Sequence, residues 1–283
     1  RIHQKSADLR KIVTTALERN QKKYQLQQKQ LADTEKREKY KVYGELLHTY
    51  GYSLQGGEDH LVCENYYTNS EITIPLQKDL SAAENAKRYL EKYQKQKRTK
   101  ENVTVQLEET RKEVEHLESI RTALDIAESE EDLQDIRREM IDFGFLHKAP
   151  GKGKNRLQRK SKPYHWVTSD GYELFIGKNN YQNEDVSFRL GDGGDLWFHA
   201  KGVTGSHVIV KTGGQPMEEV PDRVFIEAAE LAAYFSSHRE DPKVEVDYTI
   251  RKNLRKVPNQ APGFVIYHTN WSVTVEPKNL LAE

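Results

Sequence analysis

Two long, highly charged stretches, each with only a thin row of apolar residues, constrain the fold of this chain most strongly. In the first, residues 1–48, the apolar residues Leu17, Tyr24 and Leu31 recur at intervals of seven. Such intervals place side chains on one face of an α-helix. Because that face is thin, the helix needs a partner to cover it. The pattern therefore predicts a long helix over residues 1–48 that packs against a second helix.

The second stretch begins with the motif Ser81-Ala-Ala-Glu84. In such a capping box the serine side chain accepts a hydrogen bond from a free backbone N–H, and the glutamate reaches back to the serine. Apolar residues then follow helical spacing to about residue 127, at Leu107, Val114, Leu117 and Leu124. The motif Ser129-Glu-Glu-Asp132 indicates a further short helix that ends at Gly144.

We predict that the two long helices run antiparallel and form a coiled-coil arm over residues 1–147. A helix rises about 1.5 Å per residue, so about 45 residues would extend about 70 Å. The thin apolar faces could pair within one chain or between two chains, which leaves the oligomeric state open.

A small β-hairpin is predicted at the tip of the arm, over residues 60–77. Ile72, Ile74 and Leu76 alternate along one strand, Thr68-Asn-Ser70 supplies the turn, and Pro75 favours an edge position. Six tyrosines also lie between residues 40 and 67. They form either a small apolar cluster that closes the tip or an aromatic contact surface for a partner.

Composition agrees with an extended helical part beside a smaller globular domain. Charged residues make up 31% and hydrophobic residues 36%, with a mean hydropathy of −0.87, which is too polar for one compact core. No stretch approaches the roughly 18 apolar residues of a membrane span, so we predict no membrane insertion. The lone Cys63 excludes an internal disulfide and fits a cytoplasmic protein.

The start of the chain predicts a piece of a longer protein. It opens on Arg1, inside a charged helical pattern and without a signal peptide. A missing N-terminal part would then hold some of the function, and display at the cell surface would need a route without a signal peptide.

Positive charge is concentrated in a short connector. Residues 1–147 carry 25 basic and 27 acidic side chains, residues 148–162 carry seven basic and none acidic, and residues 163–283 carry 12 basic and 17 acidic. Residues 148–162 have no periodicity and almost nothing to bury, so we predict a flexible linker. It is either a solvated connector or a tether that binds phosphates, because clustered Lys and Arg release counterions from nucleic acid.

Residues 163–283 are predicted to form an α+β domain. Asp170-Gly171 is a hairpin turn between strands at 164–168 and 172–177. Further strands are predicted at 186–190, 195–199, 207–211, 244–249, 264–268 and 272–276, and a helix at about 222–238. This order favours a mostly antiparallel sheet covered by one helix.

The motifs of this domain do not support catalysis. Asp195, His199, Ser206 and His207 offer the groups of a hydrolase triad, but adjacent residues on a strand point to opposite faces, which separates Ser206 from His207. A metal site at His199, His207 and Asp195 would need the intervening loop to fold back, and no tight ligand spacing supports it. No phosphate-loop motif is present either. We therefore expect no catalytic residues, no metal, no cofactor and no small-molecule substrate.

A basic cluster follows Tyr248, and it suits phosphates better than a chemical reaction. Its members are Arg251, Lys252, Arg255 and Lys256. Beside His199, Lys201 and His207 they would form a positive surface, and Tyr248 or Trp197 could stack on a base. The alternative is an ordinary solvated loop, since the domain as a whole is acidic and nucleic-acid binders are usually basic.

Several ordered motifs of this domain resemble the NFACT-R domain of the NFACT proteins. They are Gly177-Lys-Asn-Asn180 with Asn183, Asp195-Leu-Trp-Phe-His199, Gly205-Ser-His207, residues 228–233 with Ser236, Val246-Asp-Tyr-Thr249, Lys256, and Ala261-Pro-Gly263 with Val265 and Tyr267. Two positions depart from the family: Lys178, where Arg is more usual, and residues 253–258, where a Lys-Pro-rich turn is usual. Residues 1–145 resemble the coiled-coil segment of the family.

The resemblance implies a role in ribosome quality control. Such proteins bind a large ribosomal subunit that still carries an obstructed peptidyl-tRNA, recruit alanyl-tRNA and support untemplated addition of an alanine tail. The family's N-terminal tRNA-binding domain is not in this chain, so we expect no tailing by this part alone. The residues predicted to contact RNA are His199, Lys201, His207, Tyr248, Arg251, Lys252, Arg255 and Lys256.

Two further functions stay open at this point. Streptococcal members of the family are named as fibronectin-binding proteins, which implies an adhesin as the alternative. A scaffold whose arm only spaces two domains is the third reading. What the tip of the arm contacts is not indicated by the sequence.

Overall fold

The structure is a computed structural model that describes residues 2–149 and 160–282. The chain divides into two compact units. We call residues 20–111 the tip unit, and residues 1–19 together with 112–283 the sheet unit. The predicted linker at 148–162 lies for the most part outside the described residues.

The N-terminal helical stretch is broken once. Helix α1 spans Ile2–Asp33, a short 3₁₀ turn spans Thr34–Lys36, and α2 spans Arg37–Tyr50. The prediction of one uninterrupted helix over residues 1–48 is therefore wrong at this point. Thr34 Oγ1 donates to the Leu31 carbonyl over 2.6 Å, and such back-bonding is known to bend helices.

The tip unit contains the predicted hairpin. Strands β1, His60–Asn65, and β2, Ser70–Pro75, pair antiparallel, so the prediction is confirmed. Leu61 and Ile74 of the hairpin are buried against Leu46 of α2. The tyrosines divide: Tyr40, Tyr43 and Tyr50 are partly buried, whereas Tyr52, Tyr66 and Tyr67 are exposed. A role for the exposed ones in binding a partner stays a prediction.

Both predicted helix starts are confirmed. Helix α3 spans Ala82–Ile126, and the Glu84 N–H donates to Ser81 Oγ over 3.1 Å. Helix α4 spans Glu130–Asp142, and a complete capping box joins Ser129 and Asp132. These caps satisfy backbone donors that a helix leaves free at its N-terminus.

Within the sheet unit, the first part of α1 packs antiparallel against the end of α3. Ion pairs join Arg10 to Asp125 at 2.5 Å and Lys5 to Glu130 at 3.2 Å. The buried apolar residues between α1, α3 and α4 include Leu9, Val13, Leu17, Leu117, Ile120, Leu124, Leu133, Ile136 and Met140. Three helices thus bury the thin apolar faces seen in the sequence.

The remainder of the sheet unit is a six-stranded antiparallel sheet with helices on it. Its strands are β3, Tyr164–Val167; β4, Glu173–Ile176; β5, Leu196–Ala200; β6, Val208–Val210; β7, Val244–Ile250; and β10, Trp271–Val275. Their order is β10-β7-β5-β6-β4-β3. Helix α6, Asp222–Tyr234, covers one face. The predicted α+β class, with an antiparallel sheet and a covering helix, is confirmed.

The other face of the sheet is covered by less regular structure. Helix α5 spans Asn180–Asp185, and the two short strands β8, Arg255–Lys256, and β9, Val265–Ile266, pair with each other. A second apolar cluster here contains Val186, Trp197, Ile209 and Leu254.

One predicted strand is wrong. Residues 186–190 form a π-helical turn that continues from α5, and Gly191 N–H donates to the Val186 carbonyl over 3.0 Å. The alternating apolar residues of this segment resembled a strand, but Asn179 starts a helix by accepting a hydrogen bond from the Gln182 N–H. The predicted strand at 264–268 is also reduced, to Val265–Ile266.

None of the helices in the described residues is both long enough and apolar enough to cross a membrane.

Candidate functional site

The motif residues of the sheet unit converge on the face of the sheet that α6 does not cover. Side chains alternate along β5, so Leu196 and Phe198 face α6, whereas Trp197 and His199 face the opposite side. His207 lies just before β6, the neighbouring strand. The three rings contact one another and form the centre of an aromatic cluster.

A hydrogen-bonded chain runs through this cluster. Trp197 Nε1 donates to Ser187 Oγ over 2.9 Å, and Ser187 Oγ lies 2.7 Å from His207 Nδ1. Because Ser187 accepts from the indole, its own hydroxyl hydrogen is free to reach His207 Nδ1. In that arrangement His207 accepts at Nδ1 and its proton is on Nε2, whereas the other tautomer would donate from Nδ1 to Ser187. Burial lowers the pKa of His207 well below its usual value, which agrees with a neutral ring.

His199 forms the outer part of the cluster. Its ring stacks on Trp197 at 5.7 Å and is perpendicular to that of His207 at 5.4 Å. Burial lowers its pKa, and the charge of Asp247 opposes that shift. Asp247 is directly opposite His199 on β7 and accepts a hydrogen bond from Tyr267 Oη over 2.6 Å. His199 and His207 are therefore neutral, and the carboxylate of Asp247 beside them is hydrogen-bonded to Tyr267.

Two glycines of the motifs allow close packing around α5. A Cβ at Gly177 would collide with Asn183 Oδ1, which itself accepts from the His207 N–H over 3.0 Å. Gly263 has φ +84°, and a Cβ there would lie 2.9 Å from the Asn180 carbonyl. These glycines are needed because α5 lies close to the chain after β4, at Gly177, and to the chain after β8, at Gly263.

The groups once considered for a hydrolase or metal site are used in other ways. Asp195 is 2.5 Å from Lys211 Nζ and accepts from the Thr212 N–H over 2.9 Å. Ser206 Oγ is buried and forms no hydrogen bond with any of the described residues, so it is not paired with a catalytic base. Among residues 2–149 and 160–282, no group of three His, Cys, Asp or Glu side chains could hold a metal ion.

The predicted basic residues lie at one end of the sheet and surround an exposed part of the π-helical turn. Arg251 Nε donates to the Ser187 carbonyl over 2.8 Å, and its guanidinium lies 5.1 Å from the Phe188 ring. Lys256 Nζ is also 5.1 Å from that ring and 3.0 Å from Glu184. We call Phe188, Arg189, Arg251, Lys252, Arg255 and Lys256 the sheet-end patch.

Arg189, Lys252, Arg255 and Lys256 are the exposed members of this patch, and of these Arg189 and Lys256 pair with Asp185 and Glu184. The Lys252 N–H donates to the Gly193 carbonyl over 3.0 Å, which fixes its backbone beside the turn before β5. Arg255 Nη1 donates to the carbonyls of Lys252 and Leu254 over 2.7 and 2.8 Å. Lys252 and Arg255 form no ion pair with a carboxylate among the described residues, so these two cations can attract an anion.

The other predicted residues lie elsewhere. Lys201 is exposed at the far end of β5, where its ammonium pairs with Glu245 at 3.2 Å. The ring of Tyr248 is stacked between Phe198 at 5.6 Å and Trp271 at 6.0 Å. His199 and His207 belong to the aromatic cluster. The structure thus brings Arg251, Lys252, Arg255 and Lys256 together and separates them from the other four predicted residues.

The sequence does not predict three residues of this site. Its alternating pattern predicts a strand over Ser187, Phe188 and Arg189, where the structure has a π-helical turn. The signal that could have found them is Asn179, an N-cap residue three positions before Gln182.

Lys178 shows why a motif residue need not be a surface residue. Its ammonium lies 3.2 Å from Asp132 and 4.4 Å from the centre of the Tyr164 ring. The hydrogen bonds of Asp132 to Ser161 and to the backbone N–H of Glu128 lower the pKa of that carboxyl, against the effect of burial. Lys178 therefore supports the packing of α4 within the sheet unit.

Comparisons with known proteins agree with these motifs. Residues 1–161 match the family described as NFACT N-terminal and middle domains, and residues 162–268 match the NFACT protein RNA binding domain. Relatives named Rqc2 homolog RqcH are 38% identical over 278 residues in Streptococcus suis and 33% identical over 284 residues in Bacillus subtilis. Each alignment covers 98% of this chain, but 49% and 48% of the relative. The chain thus spans about half the length of these curated relatives.

A solved structure has the same fold. It is that of the C-terminal part of the fibronectin/fibrinogen-binding protein from Streptococcus suis, with a TM-score of 0.74 and 34% sequence identity. The match covers 98% of this chain and 96% of the other.

Proposed function

This chain belongs to the NFACT family, and from that membership we propose that it is the RNA-binding part of a ribosome quality-control factor. In the complete protein it would help to bind a large ribosomal subunit that carries peptidyl-tRNA. It would also support recruitment of alanyl-tRNA for alanine tailing. The RqcH relatives support this proposal through their similarity to nearly the whole of this chain.

The observation that carries the proposal is the match of residues 162–268 to an RNA-binding domain, on a unit that holds exposed cations. Lys252 and Arg255 offer positive charge that no carboxylate neutralises in the described residues. Phosphate contacts from such side chains supply most of the affinity of non-specific nucleic-acid binding. We infer that the sheet-end patch contacts the RNA backbone.

The remaining predicted residues fit two different roles. Lys201, at the far end of β5, is proposed as a separate phosphate contact. His199, His207 and Tyr248 are proposed to support the binding surface from inside, because their rings are occupied by neighbouring aromatic side chains. Direct RNA contact by these three residues stays a prediction.

Removal of charge from the patch tests its role. We expect Lys252→Gln/Arg255→Gln/Lys256→Gln to weaken binding of a stem-loop RNA with an unpaired loop, measured by fluorescence anisotropy at several salt concentrations. The plot of log affinity against log salt has a negative slope, and its magnitude should become smaller by about 2. Each lost phosphate contact in single-stranded RNA contributes about 0.7 to that magnitude. Unchanged affinity and slope would contradict the proposal.

The ribosomal part of the proposal needs a different experiment. The chain should co-sediment with large ribosomal subunits that carry peptidyl-tRNA, and less so as salt is raised. The triple patch variant serves as the matched control. If wild type and variant pellet equally at every salt concentration, the patch does not bind the subunit.

A second function is fibronectin binding, favoured by the similarity to the streptococcal fibronectin/fibrinogen-binding protein. Soluble fibronectin can therefore be offered to the chain in parallel with the ribosomal subunits. Capture by fibronectin alone would favour an adhesin. We propose a cytoplasmic location, because a ribosome quality-control factor acts where the ribosomes are.

A further inference from the structure

The tip unit carries a concentration of positive charge outside the part that matches the RNA-binding domain. Residues 36–41 and 87–100 contain eleven Lys or Arg and two acidic residues, Glu38 and Glu91. We call these two segments the basic band. Its cations are Lys36, Arg37, Lys39, Lys41, Lys87, Arg88, Lys92, Lys95, Lys97, Arg98 and Lys100.

The two segments of the band lie side by side on the paired helices α2 and α3. Lys41 Nζ is 5.8 Å from the centre of the Tyr93 ring, and Lys92 Nζ is 5.3 Å from that of Tyr40. Gly44 lets the helices approach closely, because a Cβ there would meet the Leu90 side chain at 2.7 Å. These contacts bring cations of the two segments next to each other on the helix pair.

Carboxylates hardly neutralise this surface. Within the described residues, the one ion pair of the band joins Arg37 to Glu38 at 3.7 Å. In contrast, Lys201, Lys211 and Lys256 of the sheet unit each pair with a carboxylate. Like charges three and four residues apart destabilise a helix, so the folded band carries a repulsion that a polyanion would relieve.

Three tyrosines in and beside the band, Tyr40, Tyr43 and Tyr89, contact one another. The rings of Tyr40 and Tyr89 stack on each other at 6.0 Å, and Tyr43 contacts Tyr89 at 5.1 Å. Lys39 and Lys92 lie over the exposed parts of these rings. Because these three rings contact one another and lysine side chains lie over them, the surface favours the phosphate backbone over unpaired nucleotides.

The length and charge of the band fit a nucleic-acid duplex. Residues 87–100 rise about 20 Å along their helix at about 1.5 Å per residue. A duplex such as DNA presents about one negative charge per 1.7 Å of its axis, so several phosphates fall within that length. We infer that the basic band is a second RNA-binding site, which binds the phosphate backbone of double-helical RNA without sequence preference. This inference rests on the proposed RNA partner and extends it to the tip unit.

The test uses the complete chain and a blunt-ended RNA duplex without unpaired nucleotides. We expect Lys95→Gln/Lys97→Gln/Arg98→Gln to weaken duplex binding at least tenfold near 0.1 M salt. The magnitude of the negative slope of log affinity against log salt should become smaller by about 2 to 3, since each phosphate contact contributes about 0.9. All three side chains are exposed, so the helix should be retained, and circular dichroism would verify this.

Three control variants separate the band from general charge. Lys11→Gln/Arg19→Gln/Lys243→Gln removes the same charge from exposed positions of the sheet unit and should bind the duplex like wild type. The triple patch variant should lose mainly the stem-loop RNA. Polyglutamate of matched length should bind much less tightly than the duplex.

The outcomes also separate this inference from the proposed function. If the band variant binds the duplex with the wild-type slope while the patch variant loses RNA, the inference fails and the proposed function stands. If neither variant changes RNA binding, both fail. Equal binding of polyglutamate and duplex would overturn the assignment to RNA.

Discussion

The aromatic cluster of the sheet unit and the basic band of the tip unit differ in how their polar groups are satisfied. In the cluster, Trp197, Ser187 and His207 are buried, and each polar atom of their chain has a partner. In the band, eleven cations lie along two helices with one ion pair among the described residues. The cluster is rich in motif residues, whereas the band consists of ordinary Lys and Arg in a charged helix.

This difference separates the residues that identify the family from those proposed to bind RNA. Motif residues such as Gly177, Asn183 and Trp197 position α5 and the neighbouring strands. Phosphates need only accessible positive charge, which requires no particular motif.

Removal of the central indole should cost the most stability. Trp197→Ala leaves a cavity and removes the donor to Ser187, so we expect the free energy of unfolding to fall by about 3–5 kcal/mol. Urea denaturation combined with hydrogen exchange of the sheet amides would measure it. Trp271→Ala, at a ring that is 41% exposed, should cost clearly less. Equal losses would show that the buried indole stabilises the sheet unit no more than an exposed one does.

Acid should destabilise the cluster through its buried histidines. The pKa of His207 is lowered in the folded chain, so the unfolded chain binds the proton more readily. The stability from the neutral ring is complete above about pH 6.5. Below that pH it falls by about 1.4 kcal/mol per pH unit for this ring. Urea denaturation at pH 7.5, 6.5 and 5.5 would measure the slope.

The matched variant for this prediction is His207→Asn, which keeps an acceptor near the position of Nδ1 for Ser187. It should flatten the dependence of stability on pH by about one proton, with the contribution of His199 remaining. A wild-type slope in this variant would mean that His207 does not titrate with folding.

The smallest effect is expected in the tip unit. Lys95→Gln/Lys97→Gln/Arg98→Gln removes like-charged neighbours at helical spacing, each pair of which costs about 0.2–0.5 kcal/mol. The melting temperature should therefore rise slightly at low salt, and added salt should abolish the gain. A lower melting temperature would show that these cations stabilise the fold rather than serve a partner.

Local signals predicted much of the fold. Ser81 and Ser129 marked helix starts because capping depends on a few adjacent residues. The hairpins at residues 60–75 and 164–176 followed from turn residues between alternating apolar ones. The segment at 186–190 failed because Val186, Phe188 and Leu190 alternate along a π-helical turn as they would along a strand. Short apolar patterns do not distinguish the two.

The site was harder to predict than the fold, for two physical reasons. Burial depends on partners distant in the sequence: His207 is covered by Ser187, and Tyr248 by Trp271. The basic band was hidden because charge summed over residues 1–147 is nearly balanced, while the cations of residues 36–41 and 87–100 meet only when the helices pair. Surface charge has to be summed over a surface, which requires the fold.

The most direct test of the account compares a surface variant with an interior variant on the same stem-loop RNA. Lys252→Gln/Arg255→Gln/Lys256→Gln and His207→Asn would be measured by anisotropy across a range of salt concentrations, each after confirmation of folding. The account predicts a salt slope smaller by about 2 for the surface variant and a wild-type slope for His207→Asn. A wild-type slope for the surface variant, with reduced binding by His207→Asn, would contradict it.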